Sequence, residues 1–215
     1  MLRLACSACC SLVLLAVAVT PSMGGIPNAG KSVVPNHLLL VGTRSGIADP
    51  AGIFTVTVNN LVPNVIANSQ VVIDFSQCGD IQIGDQASQP WSYRMWVDAA
   101  NRTVRAFSDG SGIAHFDIVG GVGPNRAAGS STKCARFYAD GVLLGSATVS
   151  AVDQDGTAGV GLSDLALLTS DFYSGTYFGR SDYDGSGTIT LTDVASWAAD
   201  FYSGRSSGSP GAYAW

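Results

Sequence analysis

Asp153 to Gly175 reads DQDGTAGVGLSDLALLTSDFYSG, and Asp182 to Gly204 reads DYDGSGTITLTDVASWAADFYSG, the same pattern displaced by 29 residues. The copies agree at 11 of 23 positions, including the aspartates at positions one, three and twelve and the whole DFYSG ending. Agreement of that extent at one offset marks an internal duplication. After position twelve, each copy places apolar residues at i, i+3 and i+7: Leu165, Leu168 and Phe172 in the first, Val194, Trp197 and Phe201 in the second. That spacing predicts one amphipathic helix per copy.

The aspartate spacing has a chemical reading. A hard cation such as calcium takes roughly six to eight oxygens, and a twelve-residue loop offers them from alternate positions. Asp153, Asp155 and Asp164 hold positions one, three and twelve of the first loop, with Thr157 at five and the carbonyl of Gly159 at seven. Asp182, Asp184, Ser186, Thr188 (by its carbonyl) and Asp193 hold the same places in the second. Val160 and Ile189, at position eight, are placed to join the loops through a short strand contact. The same aspartates also suit N-caps at Asp-Gly turns, a reading that needs no metal. Charge favours the cation: residues 153 to 204 carry eight aspartates against one arginine, Arg180. Two three-residue helix faces make a core small enough to need a metal or another staple.

Asp in place of Glu at position twelve, one helix per loop and a short linker between copies resemble the dockerin module of secreted bacterial proteins. The resemblance spans residues 153 to 204 and implies two loop-helix units, each binding one calcium ion through the residues just named. Position six, glycine in a standard EF-hand loop, is Ala158 in the first copy.

The first 24 residues carry Arg3, an apolar run from Leu12 to Val19 and the small-x-small pattern Ala16-Val17-Ala18, which reads as a secretory signal peptide. No later stretch approaches the roughly 20 apolar residues a spanning helix needs. With Cys6, Cys9 and Cys10 in the signal, Cys78 and Cys134 remain in an exported chain. They suggest one disulfide closing a loop of about 57 residues, worth roughly 4 kcal/mol in the chain-entropy model, or else two buried thiols.

Between the signal and the repeat, residues 25 to 151 balance eight aspartates against eight lysines and arginines, which leaves no electrostatic attraction for nucleic acid. Short strand-like runs bounded by Gly, Pro, Asn and Asp recur at His37 to Val41, Phe54 to Asn59, Gln70 to Phe75, Tyr93 to Val97, Thr103 to Phe107, Ala114 to Val119, Cys134 to Ala139 and Leu143 to Ser150. The class is mainly β, with a β-sandwich expected. FTVTVNNLVPNVIANSQVVIDFS, FSDGSGIAHFDIVGG and CARFYADGVLLGSATVSA, with Pro63 and turns at Asp109 to Gly112 and Asp140-Gly141, resemble invasin-type bacterial immunoglobulin-like domains over residues 53 to 151. The implied organisation is an N-terminal extension or first strand at 25 to 52, the Ig-like sandwich at 53 to 151, the dockerin-like module at 152 to 205 and a flexible tail at 206 to 215. Lys31 to Gly42 either supplies the sandwich's own first strand or pairs with a neighbouring molecule's sheet edge.

No residue set reads as catalytic. His37 and His115 are the only histidines, both in apolar runs, and the chain contains no glutamate. The sequence points to a non-enzymatic, secreted, calcium-binding structural or assembly protein of the bacterial surface, whose partners are copies of itself in a fibre or surface layer. The alternatives are docking to a cohesin-like scaffold through Leu162-Ser163 and Leu191-Thr192, and carbohydrate binding through Trp91 and Tyr93, with Trp96 on the other face of their strand.

Overall fold

The computed structural model describes residues 25–44, 47–85, 95–98, 100–157 and 159–203. The expected signal peptide, the aromatics Trp91 and Tyr93, Ala158 and the tail at 206–215 lie outside the described residues. Among the described residues the chain is mainly β, with two α-helices in its C-terminal part.

A six-stranded sheet runs in the order β1 (His37–Leu40), β12 (Val142–Ala151), β11 (Ala135–Ala139), β5 (Gln70–Asp74), β8 (Thr103–Phe107) and β7 (Trp96–Asp98). Three shorter pairs accompany it: β2 (Thr43–Arg44) with β3 (Ile47–Ala48), β4 (Ile53–Thr57) with β9 (Ile113–Asp117), and β6 (Ile81–Ile83) with β10 (Gly120–Val122). Alternation along the strands explains the layering, because successive side chains face opposite ways. Val71, Ile73, Val104, Phe137 and Val149 of the large sheet meet Val56, Phe116, Ile81, Ile83 and Val122 of the short pairs in one apolar core. Phe54 stacks on Phe116 at its margin, with ring centroids 5.3 Å apart.

Turn chemistry sets the register. Asp140 and Gly141 both adopt positive φ, 46° and 81°, so Ala139 and Val142 face each other across a two-residue hairpin. At the other predicted turn, Asp109 Oδ1 accepts the backbone N–H groups of Ser111 and Ile113, and Gly112 sits at φ 75°. The Cys78–Cys134 disulfide is formed, its Cα atoms 4.9 Å apart, and ties the turn after β5 to the start of β11. His37 to Leu40 pairs in parallel with Thr148 to Ala151 of the same chain, which is the local choice for that strand.

α1 (Leu162–Tyr173) and α2 (Leu191–Ser203) each begin where a loop of the repeat ends. Leu168 and Trp197 are buried with Val41, Val152 and Tyr183, and Leu39, Leu165, Val194 and Phe201 pack around them. The helices therefore close over the β1 edge of the sheet. Phe172, expected on the same face, is not part of that cluster; it lies edge-on to Tyr173.

Arg180 fastens the helical part to the strands. Its side chain is 3 % exposed, and it donates to both carboxylate oxygens of Asp171 at 3.0 and 2.9 Å, to Asp80 at 3.2 Å and to the Arg126 carbonyl at 2.8 Å. Arg126 closes the network by donating to Asp171 at 2.7 Å and to the carbonyl of Leu167. Replacing Arg180 by Met removes the cation paired with buried Asp80 and leaves Asp171 to Arg126 and the Ser181 hydroxyl, and is expected to cost about 3–5 kcal/mol in urea unfolding. The conservative R180K change should recover only part of that, because an ammonium cannot hold Asp171 with two parallel bonds.

Candidate metal centre

The two aspartate clusters predicted from the repeat are assembled in space. Asp153, Asp155 and Asp164 bring one carboxylate oxygen each to within 4.8 Å of one another, and Asp182, Asp184 and Asp193 do the same. In each set the first and last aspartates are buried, and the middle one is half-buried in the first loop and exposed in the second.

Position twelve has two tasks. Asp164 Oδ1 accepts from the backbone of Gln154 at 2.6 Å and Asp155 at 2.9 Å, while its Oδ2 accepts from Gly161 at 2.6 Å, the residue that caps α1. Asp193 repeats this pattern with Tyr183 at 2.7 Å, Asp184 at 3.3 Å and Thr190 at 2.7 Å. One carboxylate thus clasps the loop's start and satisfies the first turn of the helix that follows. Aspartate suits the second task because its short side chain reaches back from the third helical position.

The remaining positions are organised by the chain around them. Asp153 Oδ1 accepts from Gly156, and Asp182 accepts from Ser186, Gly187 and the Tyr177 hydroxyl, the last at 2.7 Å. Burial first, and then the bond to Asp182, pushes the Tyr177 phenol pKa upward. Thr157 donates its hydroxyl to Asp155 at 2.5 Å, and Ser186 donates its hydroxyl to the Thr188 carbonyl at 3.1 Å, which places positions five and seven side by side. Gly159 continues the first loop, with open space where a Cβ would stand. Gly156 and Gly185, at position four, have φ of 71° and 69°, left-handed values that glycine reaches without a Cβ clash. Val160 and Ile189 each pack against the apolar cluster under the helices, and no strand pairing joins the loops among the described residues.

Crowded carboxylates show in their proton affinities. Burial raises the pKa of Asp164, against the pull of its three N–H donors. Asp155 goes the other way: burial opposes its ionisation, but the hydroxyls of Ser163 and Thr157 outweigh that, and its pKa falls. Asp184 is lowered by the Ser186 hydroxyl and backbone. His37 packs its ring against Gly185 and lies 2.7 Å from the Ser150 hydroxyl, and burial lowers its pKa despite the surrounding aspartates. Every potential ligand is a carboxylate, hydroxyl or carbonyl oxygen, a donor set that suits calcium and lacks the nitrogen or sulfur that transition metals prefer.

Asp171, absent from the predicted ligand set, belongs to the Arg180 network instead. Its partner Arg126 lies 45 residues earlier in the chain, a separation that no local motif announces.

The geometry separates two roles by substitution. In EGTA, D193A should lower unfolding stability by about 3 kcal/mol through loss of its charge-assisted backbone bonds, whereas exposed D184N should stay within about 0.5 kcal/mol of the parent. In calcium, both should lose whatever stabilisation the ion adds. Urea titrations of the two variants with and without EGTA check this. No known family model, curated protein or solved structure matches this chain.

Proposed function

We propose that this chain is a non-enzymatic, secreted structural protein in which two calcium ions, one in each aspartate loop, set a pair of helices against an immunoglobulin-like sandwich and thereby build a protein-contact surface. The observation that carries this reading is the coincidence of the duplicated spacing with two three-carboxylate clusters of matching geometry. A dockerin-like module accounts for the loop-helix order, and an Ig-like sandwich for the single core shared by the large sheet and the short strand pairs. The proposed residue set is Asp153, Asp155, Thr157, Gly159 and Asp164 for one ion, and Asp182, Asp184, Ser186, Thr188 and Asp193 for the other.

The contact surface follows from the duplication. Leu162 and Leu191 are equivalent residues, 69 % and 73 % exposed, and Tyr173 and Tyr202 are another equivalent pair, 79 % and 84 % exposed. Single exposed apolar residues are ordinary on a folded surface. Here the same apolar residue is exposed twice, at the same place on each unit, which favours a protein partner that meets either copy.

Copies of the same chain, in a fibre or surface layer, are the partner we propose. Intrachain pairing of β1 with β12 makes the helical surface, and not strand donation, the preferred route. Docking to a cohesin-like scaffold is the second reading, favoured by the position of Leu162 and Leu191 at loop position ten. Carbohydrate binding has less support: Trp96 meets Phe107 edge-on at 5.9 Å and so presents no flat two-ring platform, while Trp91 and Tyr93 are outside the described residues.

Light scattering on the purified chain should show concentration-dependent oligomers in millimolar calcium that dissociate in EGTA, and L162A with L191A should shift the population to monomer. A monomer at every concentration, with unchanged Trp197 fluorescence in EGTA, would overturn the assembly reading and the calcium reading together.

A further inference from the structure

We propose that Asp49 and Asp117 form a third hard-cation site, separate from the repeat and most suited to calcium. Asp117 ends β9, opposite Ile53 in the register with β4, and Asp49 caps the turn Pro50–Gly52 that leads into β4. Their relative exposures are 2 % for Asp49 and 0 % for Asp117. Asp49 Oδ1 accepts the backbone N–H of Ala51 at 3.0 Å. Its Oδ2 and both oxygens of Asp117 have no hydrogen-bond partner among the described residues.

Three buried carboxylate oxygens without donors need compensation, because burying a bare carboxylate is among the most costly things a fold can do. No lysine, arginine or histidine pairs with either residue among the described ones. A single proton neutralises only one of the two carboxyls and leaves the other charged and buried. Burial, reinforced by the neighbouring Asp49 charge, holds the Asp117 carboxyl up to about 7, the mark of a site that lacks positive charge.

The surroundings supply a further oxygen. A Cβ on Gly52 would stand 3.6 Å from Asp117 Oδ1 and 3.4 Å from the Leu39 carbonyl oxygen, and would overlap Val41 at 2.4 Å. Only glycine fits there, and its backbone lies close to both the Asp117 carboxylate and the Leu39 carbonyl. The neighbouring Leu40 carbonyl is already taken by Val152 N–H on the β12 side. Two carboxylates and a carbonyl are the hard donors that calcium selects. An ion there would tie the turn before β4, the end of β9 and the β1 edge into one cross-link.

Equilibrium dialysis of the full chain against calcium chloride tests the site by difference, so that whatever the two loops bind cancels. D117N and D49N should each bind one calcium fewer per chain than the parent. In EGTA, D117N should melt at a higher temperature than the parent, because a neutral amide is less costly to bury than the charge it replaces. Equal stoichiometry in parent and variants would overturn the proposal. So would failure of both variants to fold, since neither would then be relieving an uncompensated charge.

Discussion

Repulsion among carboxylates is the constraint around which the C-terminal part of this protein is arranged. Eight aspartates within 52 residues cannot crowd together in a fold unless each is given donors or positive charge. The chain divides them. Asp164 and Asp193 are held by backbone N–H groups at the point where a loop becomes a helix, and each can face a cation at the same time. Asp171 is neutralised separately, by Arg180 and Arg126. Helix position and loop closure are therefore consequences of one distribution of charge.

The Arg180 network changes how the helical part relates to the strands. A pair of loop-helix units with a core of its own would sit on the strand region as an appendage. Here Arg180 is buried between Asp171 of the repeat and Asp80 of the strand region, and Leu39 and Val41 extend the helices' apolar cluster to the sheet edge. Conformation in the loops is thus coupled to the β1 edge through packed side chains and a buried ion network, with no linker between them.

Much of this was legible in the sequence, and the parts that were not have physical reasons. β8 spans the predicted Thr103 to Phe107, and the Asp140-Gly141 hairpin forms as its turn residues require, because alternation and turn chemistry are local. β6 and β10 gave no signal: Ile81–Ile83 is short and bounded by Gly and Asp, and β10 is mostly glycine. Gly120 is needed because a Cβ there would stand 2.6 Å from the Gln82 carbonyl, so the residue that permits the pairing also hides the strand. All six loop aspartates were legible because the duplication displays them twice. The Arg126–Asp171 contact and the Asp49–Asp117 pair were not, since each joins residues far apart in the chain with no repeated spacing to reveal them.

The central claim is that the two aspartate clusters hold calcium. The most direct measurement is an anomalous difference map from crystals grown in millimolar calcium chloride. The account predicts one peak among Asp153, Asp155 and Asp164 and a second among Asp182, Asp184 and Asp193. Absence of density at both clusters would contradict it, and would leave the aspartates as helix caps alone.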